Sequence, residues 1–129
     1  MKITLLGEDG VRLEPIPGPM TIEADSADQL YSPFHMLASS LAFCTYSVLA
    51  SWASNAKIES GDIAIQVNWT FAEDPHRVGE IDMKIEWPSL PEARRSAASR
   101  VADLCAVHAS LTHPPTIKTV VESPAVAAV

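Results

Sequence analysis

Residues 31–56 contain no Asp, Glu, Lys or Arg, and no other feature of the sequence restricts the fold so strongly. A helix of that length would reach across a bilayer. The stretch nevertheless holds Ser39, Ser40, Thr45, Ser47, Ser51, Ser54 and Asn55, and its positive flank is Lys57 alone. That is a poor match to a membrane helix with anchoring charges. The expectation is a helix buried all round inside a soluble protein, where Ala and Ser let other backbones approach. Ser32 followed by Pro33 marks its start, because serine accepts from an early amide and the missing proline N–H costs nothing in the first turn. Phe34, Leu37, Leu41, Cys44, Val48 and Trp52 recur at steps of three and four, placing Cys44 on a stripe of large apolar side chains. The helix should run to about Lys57 and stop before Gly61.

A fully apolar helix needs other elements to cover it, and the flanking sequence supplies them. "KITLL" (2–6), "VRLEPI" (11–16) and "TIEA" (21–24) read as short strands separated by Glu8-Asp9-Gly10 and Pro17-Gly18-Pro19. After the helix, "DIAIQVNWTF" (62–71) alternates apolar and polar residues. So does the run holding Ile81, Met83, Ile85 and Trp87, and a turn through Glu73, Asp74 and Pro75 makes the two an antiparallel hairpin. "PEARRSAASRVADLC" (91–105) begins an Ala-rich helix with Ala97, Val101, Leu104 and Cys105 on one side and a solvated face from Glu92 to Arg100, in a helical region that Pro114-Pro115 closes after His113. Beyond Pro114-Pro115, "TIKTVVE" (116–122) predicts a last strand and residues 123–129 a tail. The order predicts an α+β fold with an antiparallel sheet. The 129 residues fit a single domain over 1–129, with amino-terminal strands in 1–30, that buries roughly two-thirds of its unfolded surface.

Charge excludes some partners. Nine Lys and Arg against 16 Asp and Glu give a formal net charge of −7, which repels phosphate backbones and anionic lipid; neither nucleic acid nor membrane is an expected partner. The amino terminus "MKITLLGEDG" holds too short an apolar run for a secretory signal, so a cytoplasmic location is expected. In that reducing compartment a permanent disulfide is improbable.

The two cysteines, Cys44 and Cys105, therefore have four readings: packing atoms, half of a metal site, a staple or a reacting pair. A zinc site would need Cys44, Cys105, His108 and His35 or His113 to converge tetrahedrally. The Cys-x-x-His spacing is thin evidence for that, and no metal or other cofactor is expected. Burial alone is the default for a free cysteine. Trp52, Trp69 and Trp87 read as core or interface contacts.

Two motifs narrow the choice. "SPFHMLASSLAFC" resembles the "P-E-x-L-x-A-A-x-x-x-x-C" helix of the OsmC/Ohr family of thiol peroxidases, and "LCAVHASL" resembles its "C-P-V-H-x-x-L" element. The likeness covers roughly residues 9–122, with the two motifs in family order. It implies an OsmC-like fold: an intertwined homodimer with a curved antiparallel sheet, a long buried central helix and a second helix. It also implies that Cys44 is the peroxidatic thiol and Cys105 the resolving one. The substrates would be a small organic hydroperoxide and a thiol reductant, with an apolar pocket formed by residues such as Phe34, Phe43 and Trp52.

Departures from the family pattern are visible too. The family glutamate ten positions before the first cysteine, which holds an arginine over the thiolate, is here Phe34. Arg12, the only arginine before residue 77, does not align with that arginine, and Ala106 replaces the usual proline after the second cysteine. His35 and His108 are candidate supporting residues, His108 because it lies three positions after Cys105 and can orient a thiol one turn away. The rival function keeps the fold and dimer but binds a small apolar ligand or partner, with packing cysteines.

Overall fold

The computed structural model describes residues 2–5 and 11–14 as backbone strands and residues 32–124 in full. The expected strand at 21–24 and most of the tail lie outside the described residues. Contacts divide the chain into two compact units, Met1–Leu30 and Tyr31–Val129. The first contains β1 (Lys2–Leu5) paired antiparallel with β2 (Val11–Glu14).

The second unit carries α1 (Pro33–Ala56), the hairpin strands β3 (Ala64–Ala72) and β4 (Arg77–Glu86), a 3-10 turn at Glu92–Arg94, α2 (Arg95–Ala102) and α3 (Ala106–Thr112). The architecture is α+β. Local chemistry fixes both ends of α1. Ser32 Oγ accepts from His35 N–H (3.3 Å), and His35 Nδ1 accepts from Ser32 N–H (3.2 Å), a reciprocal cap that satisfies two amides. At the other end Lys57 adopts φ 57°, and Ile58 N–H closes on the Ala53 carbonyl at 2.8 Å.

The apolar core sits at the carboxyl-terminal end of α1. Leu49 and Ala53 pack with Ala98 and Ala102 of α2 under Trp87, and the three alanines allow the two helix backbones to approach. Trp87 Nε1 donates to the Glu59 carbonyl (2.8 Å), so its polar end is satisfied as the ring is buried. The loops on this side are pinned where the Ser89 N–H donates to Asp62 Oδ2 (2.8 Å).

In the hairpin, Ile65, Val67 and Trp69 oppose Ile85, Met83 and Ile81, with an irregularity between Thr70 and Phe71. Gly79 sits at this bulge, where a Cβ would lie 2.6 Å from the Ala72 Cβ; only glycine permits that approach.

Three expectations are corrected. First, α1 is not buried all round within one chain. Ala38, Leu41, Thr45, Leu49 and Ala53 form its buried stripe, rotated from the predicted one, while Phe34, Phe43 and Tyr46 are exposed. By length and composition α1 could cross a membrane, but it packs against β3, α2 and α3 as the central helix of the unit. Second, the helical region expected from 91 to Pro114-Pro115 is broken into α2, which ends at Ala102, and α3, which begins at Ala106. Cys105 takes φ −60° and ψ 131°, and Leu104 is 73% exposed because α2 has ended. Third, residues 116–122 form no strand. Ile117, Val120 and Val121 are exposed, and the segment pairs with neither β3 nor β4; an isolated strand without a partner is not stable.

Candidate active site

The break between α2 and α3 builds the site. Cys105 is the N-cap residue of α3, and its Sγ accepts from the His108 N–H at 3.5 Å, the role a serine oxygen usually fills. The residue is fully buried. Cys44 lies beside its thiol and beside the N–H groups of Val107 and Ala106, the first residues of α3, all of which favour the Cys44 thiolate. The helix break thus places one sulfur at the cap and brings the other, from mid-α1, against the same turn. Both thiols are free.

These contacts set the state of Cys44. Partial burial pushes its thiol up, but the hydrogen bonds from Cys105, Val107 and Ala106 outweigh burial and hold it below the usual thiol value. The thiolate is the nucleophilic form, and three donors stabilise the negative charge with no arginine in the set. Ala106 is informative here. A proline at that position would have no N–H to give, so the residue that breaks the family pattern supplies a donor the pattern lacks.

A pocket of about 700 Å³ lies next to this junction. On one side are Phe34, Leu37 and Leu41 of α1, on the other Val78, Ile81 and Met83 of β4, with His108 and Leu111 from α3. Cys44 lies one turn beyond Leu41, continuing the stripe of Phe34 and Leu37. Neither cysteine is part of the pocket lining.

The sequence-predicted residues separate clearly. Cys44, Cys105 and His108 come together at the α3 turn, although His108 meets the Cys105 sulfur through its backbone N–H. Its imidazole Nδ1 lies 3.9 Å from Asp103 Oδ1. Phe34 lines the pocket and stacks edge-on against Phe71, centroids 5.0 Å apart. His35 is drawn into the α1 cap and sits edge-on to Trp69. The expected pocket is corrected in part: Trp52 packs on Trp87 at the opposite end of α1, and Phe43, like Trp52, is absent from the lining. Among the described residues, no three His, Cys, Asp or Glu side chains converge as metal ligands. Sequence reasoning missed Asp103, the β4 wall, and the amides of Ala106 and Val107. The Ala106 departure was the one available signal for the amides.

Residues 25–120 match the family described as OsmC-like protein. Among curated proteins none matches the chain. A solved structure from Psychrobacter arcticus 273-4, provisionally described as an osmotic stress induced and detoxification response protein, is similar with a TM-score of 0.57 and 26% sequence identity. The likeness covers 65% of this chain and 62% of that one, so this chain spans less than two thirds of that neighbour's length.

Proposed function

The chain belongs to the OsmC-like family, and from that premise we propose that it is a thiol-dependent reductase of organic hydroperoxides. The Cys44 thiolate attacks the terminal oxygen of the hydroperoxide. The S–O bond forms as the O–O bond breaks, and the remaining oxygen departs with the bonding pair, leaving Cys44 as a sulfenic acid. The Cys105 thiol then attacks that sulfur, water leaves, and a Cys44–Cys105 disulfide results. Two equivalents of a small thiol reductant restore both thiols. No cofactor is required.

One arrangement carries this reading: the break at Cys105 sets the Cys105 thiol and two amides of α3 beside Cys44, where they favour its thiolate. The resolving group thus lies beside the nucleophile, and the nucleophile is biased toward its reactive form. The protein works in the cytoplasm as one OsmC-like domain that closes into an intertwined homodimer. Phe43 and Tyr46 on α1 and the apolar residues Ile117, Val120 and Val121, all exposed in the single chain, are surfaces a second copy would cover.

A second reading, a non-catalytic binder of small apolar ligands, draws on Phe34 at the family glutamate position and on a pocket whose lining includes neither thiol. Intact mass separates the two. The reduced protein, exposed briefly to one equivalent of cumene hydroperoxide, should lose two hydrogens. Cys44→Ser should stay unchanged and Cys105→Ser should gain one oxygen. An unchanged wild-type mass over minutes would overturn the peroxidase reading in favour of the binder.

A further inference from the structure

We infer that His108 is the acid that protonates the departing alkoxide, so that the organic half of the hydroperoxide leaves as an alcohol. The inference rests on the peroxidase reading of Cys44 and extends it to the other oxygen of the broken bond. Thiolate attack on the terminal oxygen expels an alkoxide, a strongly basic leaving group, and its expulsion is slow unless a proton or a fixed cation meets the developing charge. The position from which the family pattern would organise such a cation is occupied by Phe34.

The pocket wall holds few candidates for the task. Asp103, from the α2–α3 junction, and Glu80, from β4, are carboxylates that would oppose an anion. Arg77, also on β4, does not release a proton, and its Nη1 is committed to the carbonyls of Glu73 and Pro75 at 3.0 and 2.9 Å. His108 of α3 is the remaining titratable group on the wall.

Its placement suits the role. The backbone N–H of His108 donates to the Cys105 sulfur, and the amides of the two preceding residues lie beside Cys44. The imidazole therefore rises from the turn that holds both sulfurs, and its side chain is 32% exposed. The ring lines the pocket, and its Nδ1 lies 3.9 Å from Asp103 Oδ1, an ion-pair separation for the protonated ring, which makes Asp103 a positioning residue that acts through charge. The step balances. The Cys44 thiolate and the hydroperoxide give a sulfenic acid and an alkoxide; protonated His108 gives a ring proton to the alkoxide. Alcohol and neutral imidazole remain, and the imidazole recovers its proton from solvent.

A general acid betrays itself by its dependence on the leaving group. The rate of Cys44 oxidation, followed by quenched-flow intact mass at one pH, would be measured with cumene hydroperoxide and with peracetic acid, whose acetate leaves unaided. His108→Gln should slow the first reaction about 100-fold and the second by less than about threefold. Asp103→Asn should show the same preference at a smaller size. Equal slowing of both substrates by a folded His108→Gln protein, or slowing of neither, would overturn the assignment. Should His108→Gln lose its fold by circular dichroism, the ratio in Asp103→Asn decides on the same terms. Wild-type protein inert to both oxidants would remove the peroxidase reading itself, and the role of His108 with it.

Discussion

The two ends of α1 are close in composition and differ in packing. In the carboxyl-terminal half Leu49 and Ala53 are fully buried, and α2 presents Ala98 and Ala102 to them so closely that Trp87 closes the layer. In the amino-terminal half Phe34 is 37% exposed, and the facing wall is the bulged end of β4, held off by a pocket of about 700 Å³. Cys44 lies at the boundary between them. The difference teaches that an apolar stripe declares which face of a helix seeks cover, whereas the size of the residues opposite decides whether that face is filled. The fully buried side chains gather on one side of the thiol pair, and the roomier pocket lies on the other.

The largest expected effect tests that division directly. Leu49→Ala removes a side chain with no solvent contact and should cost about 2–5 kcal/mol in urea unfolding. Leu37→Ala, whose side chain is half-buried and already borders the pocket, should cost less than about 1.5 kcal/mol because few contacts are lost and no enclosed void is made. Similar losses at both positions would mean that the amino-terminal half is packed as tightly as the other, and the contrast would collapse.

Ala106→Pro comes next and acts at the boundary. Proline suits the first position of a helix, and Cys105, at ψ 131°, already has the extended backbone that a following proline demands. The substitution therefore removes one N–H donor from Cys44 with little backbone strain. Losing that donor should raise the Cys44 thiol toward its ordinary value, read by the pH dependence of alkylation in Cys105→Ser. An unmoved titration would show that the amide is not part of the stabilisation.

How much of this was legible in the sequence follows the same boundary. The Ser32-Pro33 start and the β3–β4 alternation could be read, because caps and period-two patterning are local signals. The break at Cys105 could not. No Gly, Pro or Ser marks it, and a cysteine acting as an N-cap has no signature beyond its identity. The stripe on α1 was misjudged by one position, Cys44 for Thr45 and Val48 for Leu49, because in a helix without charges periodicity alone cannot choose between adjacent faces. The segment 116–122 has strand chemistry without a strand, since pairing depends on an edge that its own sequence does not encode.

The protonation of Cys44 couples site to stability with a definite sign. Because its thiol lies below the ordinary value in the folded chain, between the folded and unfolded pKa the unfolded state holds a proton that the native state has released. Stability should therefore rise with pH across that window, be fully present above the unfolded thiol value near 8.5 and be lost as pH falls through the folded value. Each unit of separation corresponds to about 1.4 kcal/mol. Wild-type protein compared with Cys44→Ser, both reduced, should show this slope as a difference between their unfolding midpoints against pH, and a flat difference would mean that the amides and the Cys105 thiol do not favour the thiolate.

The smallest effect lies one residue further along. Thr45 is fully buried, and its Oγ1 has no hydrogen-bond partner among the described residues. A buried hydroxyl without a partner has given up its water for nothing. Thr45→Val keeps the shape and removes that cost, so it should be neutral or stabilising by up to about 1 kcal/mol while leaving the rate of Cys44 oxidation unchanged. Thr45 would then belong with Leu49 and Ala53, a member of the packed half whose hydroxyl is incidental. If Thr45→Val instead slows Cys44 oxidation without destabilising the chain, the hydroxyl serves the sulfur chemistry beside it, and the line between packing and reactivity on α1 runs through Thr45 itself.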